Sequence, residues 1–190
     1  MFRRKESRSA RGRATEYATC KDFRQIFSED MTGLHLLAYL LTADVAKAEQ
    51  CFVAGLEDSI HGNQVFKQWA RAWSKRAIIQ NAIKMAAPAA NQQATAREIM
   101  VPGEGGIGAD NLLVSMIMQW TPFERFVFVM SVLEGYSVRE CSSLLACRDQ
   151  DVLAAKAEVL QRLAKEPERA GSMFQPGRFS WSLFTSAQVA

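Results

Sequence analysis

The stretch Trp120–Leu163, WTPFERFVFVMSVLEGYSVRECSSLLACRDQDVLAAKAEVLQRL, decides the fold. Thr121-Pro122-Phe123-Glu124 reads as a capping box, in which the threonine hydroxyl accepts from the backbone N–H of the glutamate and the glutamate reaches back to the cap. Pro122 falls at the first helical position, where its missing N–H costs nothing. The helix opened here runs through Phe126, Val127, Val129, Met130 and Leu133 to Gly135, a residue suited to the left-handed conformation that ends helices. Ser137-Val138-Arg139-Glu140 is a second capping box, opening a short helix through Leu144 and Leu145. After a turn at Ala146-Cys147-Arg148, a third helix near 149–164 places Val152, Ala155, Val159, Leu160 and Leu163 on one face. Two short capped helices followed by a longer one across a tight turn form a helix-turn-helix pattern. A small helical bundle without DNA-binding function has the same outline.

Working toward the N-terminus, residues 87–110 combine small, polar and helix-breaking residues and read as a flexible linker. Before it, four helices are expected near 20–29, 31–42, 44–60 and 63–85. On the last, Phe66, Trp69, Ala70, Trp73 and Ala77 recur at helical spacing, so both tryptophans are expected to be mainly core. Beside them Lys67, Arg71 and Lys75 form a stripe joined by Arg76 and Lys84, with no acid between Gln64 and Lys84. A solvated helix face normally mixes signs to gain i,i+4 pairs. An unmixed basic face interleaved with tryptophan fits phosphate contact or base stacking, and the alternative is a merely solvated face.

The expected architecture is all-α: two small helical domains joined by a flexible linker, the second a helix-turn-helix. Its parts are a basic disordered leader (1–19), a helical domain (20–86), the linker (87–110), the helix-turn-helix domain (111–165) and a tail (166–190). The tail displays Phe179, Trp181 and Phe184 and is expected to pack back on the body or on a partner. The chain has 190 residues, 48% hydrophobic and 23% charged, an ordinary globular composition that excludes wholesale disorder. Its net charge of +3 comes from the leader, where residues 1–16 carry six bases against two acids. No stretch of about 18 apolar residues exists and no apolar segment follows the basic start, so neither a membrane span nor a secretory signal is expected.

Cys20, Cys51, Cys141 and Cys147 have neither CxxC nor zinc-ligand spacing and read as buried thiols in a reducing compartment. With only His35 and His61 beside them, no metal site is expected. Nucleophile-elbow, Walker and HExxH motifs are absent, so the chain is expected not to be an enzyme and to need no cofactor or small-molecule substrate.

The run from Trp120 to Leu163 resembles region four of bacterial RNA polymerase sigma factors, especially the extracytoplasmic-function type. The family form LPxxxRxVFxLxxxEGxSxxEIAxxLGxSxxTVxSRxxRA is matched at Pro122, Arg125, Val127, Phe128, Glu134, Gly135, Ser137, Glu140, Leu145 and Val152, with Met130 for leucine. Residues 36–49, LLAYLLTADVAKAE, are similar to the start of region two, and the helix with Phe66 and Trp69 stands where that family has its FxxWLxxIARNxxxD helix. The resemblance implies a cytoplasmic transcription initiation factor that binds RNA polymerase core and promoter DNA, with an anti-sigma protein as a further partner. Polymerase contact would fall on Asp44, Glu49, Gln50, Val53 and Leu56, and DNA contact on Lys67, Arg71, Lys75, Arg76, Lys84, Arg139, Arg148, Gln150 and Lys156.

The chain departs from the family pattern where contacts are made. The third helix holds Asp151, Leu153, Ala154 and Ala155 where the family has threonine, lysine, serine and arginine, and Arg148–Leu163 sums to zero charge. Acids at a helix N-terminus stabilise its dipole and repel phosphate, and Gln150 alone suits a bidentate adenine contact. The alternative function is therefore a degenerate sigma-like adaptor that binds a protein without reading a promoter.

Overall fold

The structure is a computed structural model, and it describes residues 16–90 and 110–165, with side chains from 114 in the second segment. The described residues are mostly helical and include no strand. In chain order the helices are α1 (Cys20–Glu29), α2 (Met31–Thr42), α3 (Val45–His61), α4 (Ala70–Ala86), α5 (Asp110–Met118), α6 (Pro122–Phe128), α7 (Val138–Leu145) and α8 (Asp149–Ala164). A 3-10 turn at Lys67–Trp69 leads into α4, and a π-helical segment at Val129–Leu133 prolongs α6.

Local chemistry accounts for the boundaries. Both expected capping boxes form: Thr121 with Glu124, and Ser137 with Glu140, whose carboxylate accepts from the Ser137 backbone N–H at 2.9 Å. Thr19 and Asp22 make a third at the start of α1. Gly135 takes φ +73°, with open space where a Cβ would sit, so conformational freedom is its role there. Ala43, Ala87 and Ala146 take left-handed φ angles of 54°, 42° and 50° at the ends of α2, α4 and α7. Each stops its helix in the conformation glycine usually supplies, at a cost of about 1 kcal/mol.

The helices of the first half pack α2, α3 and α4 closely together. Gly55 permits this, because a Cβ on it would lie 2.7 Å from Ile78 Cγ1 on α4. The core does not divide at the linker. Phe27, Leu34, Leu37, Leu40, Leu41, Ile78 and Ile79 form one buried cluster with Ile117, Phe126, Phe128, Met130, Val152 and Val159. Burying each large side chain contributes about 1.5–3 kcal/mol, so the halves expected as two small domains are here joined by apolar contact. A smaller cluster of Phe23, Val65 and Ala70 lies under the start of α4.

Other expectations shift at the ends. Residues 16–19, expected within the disordered leader, pair with 65–67: the Ala18 N–H donates to Val65 O at 2.7 Å and the Lys67 N–H to Glu16 O at 2.8 Å. Residues 1–15, the linker positions 91–109 and the aromatic tail with Phe179, Trp181 and Phe184 lie outside the described residues. No helix among the described residues is long and apolar enough to cross a membrane.

Candidate nucleic-acid interface

The entry to α4 carries the basic stripe and the aromatic residues, and their disposition differs from the expected one. The helix begins at Ala70, so Trp69 belongs to the preceding 3-10 turn and points outward, 56% exposed rather than core. Trp73, one turn later, is half-buried against the small cluster. Phe66 stacks on Tyr17 with ring centroids 4.7 Å apart and meets Trp69 edge to face at 5.3 Å. Tyr17, brought in by the pairing of 16–18 with 65–67, thus props Phe66, and Phe66 holds the exposed indole.

These rings border an open groove of about 790 Å³ between the first turns of α4 and the loop after the π segment. Phe66, Trp69 and Trp73 line one wall with Arg71 and Arg76, and Tyr136 lines the other with Glu134 and Glu140. Burial raises the Tyr136 hydroxyl above its ordinary pKa against the opposing charge of Arg76, so it remains a neutral donor at physiological pH. The groove offers flat aromatic faces, two guanidinium groups and a phenol within one concave surface, the combination that takes a planar base and its phosphate.

The basic stripe itself is not unpaired, because acids arrive from other elements. Lys67 Nζ lies 3.3 Å from Asp22 Oδ1, and Arg71 lies 2.8 Å from Asp30 Oδ2 and 3.6 Å from Glu29 Oε2. Lys84 Nζ lies 3.8 Å from Asp58 Oδ2, which also accepts from Asn81. The basic members of these pairs have side chains about half or more exposed, and such pairs contribute roughly 0–1 kcal/mol, so a phosphate replaces the acid at little cost. Lys75 is different. Its Nζ donates to both carboxylate oxygens of Glu134 at 3.0 Å, and the Glu134 side chain is only 6% exposed.

The second set of expected DNA contacts is scattered. Arg139 is exposed beside a smaller groove of about 300 Å³ that it shares with Arg76 and Glu140. Arg148 folds onto Asp151, its NH2 2.9 Å from Oδ1 and its Nε 3.1 Å from Oδ2, and the same pair holds the Asp151 carboxyl below the usual carboxylate range. Lys156 is half-buried and turns inward, its Nζ 3.5 Å from Ser131 O. Gln150 is exposed. Outward from α8 point Gln150, Leu153, Ala154, Ala157, Glu158 and Gln161, a face without a base.

Of the residues expected to meet polymerase, Asp44 caps α3, accepting from Lys47 N–H at 3.0 Å, and Leu56 is half-buried against both apolar clusters. Glu49, Gln50 and Val53 are exposed, and Val45, which the sequence reading passed over, extends their face, with Val45 58% and Val53 55% exposed. Cys51 and Cys141 are buried, their thiols pushed up to about 11 by burial, which makes them unreactive packing residues, whereas Cys20, expected to be buried, is exposed at the start of α1 and Cys147 is half-buried. Among the described residues no group of three or more His, Cys, Asp or Glu is arranged to hold a metal ion. The sequence reading also missed Tyr17, Glu134 and Tyr136. Gly135 was the available signal for the last two, since a left-handed residue reverses the chain and presents its neighbours.

Compared with family models, with curated proteins and with solved structures, the chain matches none.

Proposed function

We propose that the chain is a sigma-factor-like, DNA-binding transcription initiation factor that docks on RNA polymerase core and helps direct it to promoters in the cytoplasm. The observation that carries this reading is the aromatic groove of Trp69, Trp73 and Tyr136 bordered by Arg71 and Arg76. It couples phosphate attraction to base stacking on the segment that resembles the promoter-contacting helix of region two. The exposed Val45, Glu49 and Val53 face of α3 fits docking on polymerase. In this reading residues 20–86 and 111–165 are two functional modules, α7 and α8 form the helix-turn-helix, and an anti-sigma protein is a further partner.

The outward face of α8, which carries Glu158 and no base, favours a second reading: a sigma-like adaptor that binds polymerase or another protein and does not select a promoter. Titration of labelled protein against purified bacterial RNA polymerase core, with and without a library of promoter fragments, separates the two. The first reading expects core binding and selective enrichment of fragments. Core binding without enrichment assigns the adaptor role, and no core binding overturns both.

A further inference from the structure

Two carboxylates line the aromatic groove, and only one of them is fully committed. Both oxygens of Glu134 accept from Lys75 Nζ at 3.0 Å. Glu140 caps α7 through a single oxygen: its Oε2 accepts from the Ser137 N–H at 2.9 Å and from the Ser137 hydroxyl at 2.7 Å. Its Oε1 has no hydrogen-bond partner among the described residues. The bonds from Ser137 also hold the carboxyl below its ordinary pKa, so at neutral pH Glu140 brings a charged, acceptor-only oxygen to the groove.

Donors face it from the other wall. Arg76 is half-buried and forms no ion pair among the described residues, yet its charge acts on both the Glu140 carboxylate and the Tyr136 hydroxyl. A free acceptor and free donors beside flat aromatic rings describe one base better than the others. Guanine sets two N–H donors, N1 and N2, side by side for a carboxylate, and its O6 and N7 accept from a guanidinium. Adenine and cytosine offer one donor next to a bare acceptor nitrogen. Thymine and uracil flank their one donor with two carbonyl oxygens. Each of these leaves the Glu140 oxygen facing a lone pair.

We infer that the groove is a guanine-reading site built by both packed halves: the base stacks on the aromatic wall, Glu140 Oε1 accepts from N1 and N2, Arg76 donates to O6 and N7, and Arg71 meets phosphate. This rests on the nucleic-acid reading of the groove. Arg71, Arg76 and Trp69 come from the first half and Tyr136 and Glu140 from the second, so the site exists only while the shared core holds the halves together. Stacking between aromatic faces with hydrogen bonds to the Watson–Crick edge is the general way an unpaired base is read. A guanine in a single strand and a free guanine nucleotide offer the same chemistry.

Labelled 20-nucleotide strands titrated against the full-length chain, in lithium salt to keep guanines unstructured, test the site. An alternating guanine–thymine strand should bind about fivefold or more tighter than oligothymidine or an alternating adenine–cytosine strand. Unlabelled mononucleotides separate the two sources. Displacement of the strand by guanosine monophosphate at about tenfold lower concentration than by the adenosine, cytidine or uridine forms assigns the site to free nucleotide as well. A guanine preference among strands that no mononucleotide competes for assigns it to single strands. Glu140→Gln keeps the cap and puts an N–H donor where Oε1 stood. It should abolish the guanine preference and leave the melting temperature within a degree or two. Glu134→Gln removes an equal charge from the same groove, so it should shift all affinities alike and keep their ratio.

Equal affinity for all strands and mononucleotides, a guanine preference that survives in Glu140→Gln, or one that disappears equally in Glu134→Gln would each overturn the inference. Strands that bind without regard to guanine remove the inference and leave the nucleic-acid reading of the groove standing. Binding of no strand and no mononucleotide removes both, and the polymerase titration tests the proposed function independently.

Discussion

The entry to α4 and the helix α8 are both exposed helical surfaces that carry bases, and they are built on opposite plans. At α4 the bases point outward beside exposed or half-exposed aromatic rings, and the acids that meet Lys67 and Arg71 come from other elements through solvent-exposed contacts. At α8 each base has a partner in its own half: Arg148, with its side chain 78% exposed, closes on Asp151 three residues away, Lys156 turns toward Ser131, and Arg162 meets Glu124 and Glu158, while glutamines, alanines, Leu153 and Glu158 lie outside. A count of charges per helix does not separate these two surfaces. Exposed pairs exchange their acid for phosphate at small cost on both surfaces. What separates them is the setting of the bases: aromatic rings border those at α4, whereas Asp149 and Asp151 stand in the first turn of α8.

The contrast can be broken most directly at Trp69. Trp69→Ala should lower the affinity for oligothymidine by about 1–3 kcal/mol, the contribution of a stacked base. The melting temperature should stay within a degree or two, since the indole is 56% exposed. A large loss of stability with unchanged binding would make Trp69 a structural residue.

Next in size is the paired substitution Lys67→Ala with Arg71→Ala, which should reduce affinity by about tenfold at low salt and lower the slope of log affinity against log salt by about one to two. Lys75 is left in place because its removal would strand the buried Glu134. The matching change on the other surface, Arg148→Ala, should leave both quantities unaltered. An unchanged slope in the paired variant removes the α4 face as a phosphate contact.

A smaller effect in the opposite sense sharpens the contrast. Asp151→Thr with Leu153→Lys takes an acid from the first turn of α8 and adds a base where Leu153 is 52% exposed. Duplex DNA affinity should then rise a few-fold in a mobility-shift titration, with some loss of helix stability from the missing Arg148 pair. No rise would mean that α8 does not present this face to a groove, as the adaptor reading requires.

The smallest expected effect is acid sensitivity of the caps. Hydrogen bonds from Ser137 hold the Glu140 carboxyl below its ordinary pKa, as those from Thr19 hold Asp22. A lowered folded-state pKa means stability that is present above the unfolded value near pH 4 and lost as pH falls through the folded value. The urea midpoint should therefore fall between pH 5 and pH 3, and by less in Glu140→Gln, which keeps the cap and does not titrate. An identical pH profile in that variant would remove Glu140 from the account.

The extent to which the molecule is readable from its sequence follows the range of the interactions involved. Thr121 with Glu124, Ser137 with Glu140, and Gly135 are local devices acting over three or four residues, so the boundaries of the helices from Pro122 onward follow from the string of residues, whereas α5 and the π segment were not marked by it. The α4 stripe is local in its spacing and non-local in its meaning. Its acids, Asp30 and Glu134, stand 41 and 59 residues away from Arg71 and Lys75, and no helix-face pattern registers them. Trp69 fits a helical period with Ala70 and Trp73, and that placed it in the core. Only the pairing of 16–18 with 65–67 and the Tyr17–Phe66 stack show the chain entering α4 through a 3-10 turn that turns the indole outward.

By itself the sequence determined most of the helical segments, the capping boxes at Thr121 and Ser137, and most apolar faces, because capping and periodicity are properties of neighbouring residues; it marked neither α5 nor the start of α4 at Ala70. The tertiary structure alone decided that one core joins both halves, that Glu134 meets Lys75, and that Arg125 lies buried against Leu41 O. Those facts depend on which apolar face meets which. Hydrophobic burial is non-directional, so the choice among partners is made by shape and by the polar groups trapped when the faces close.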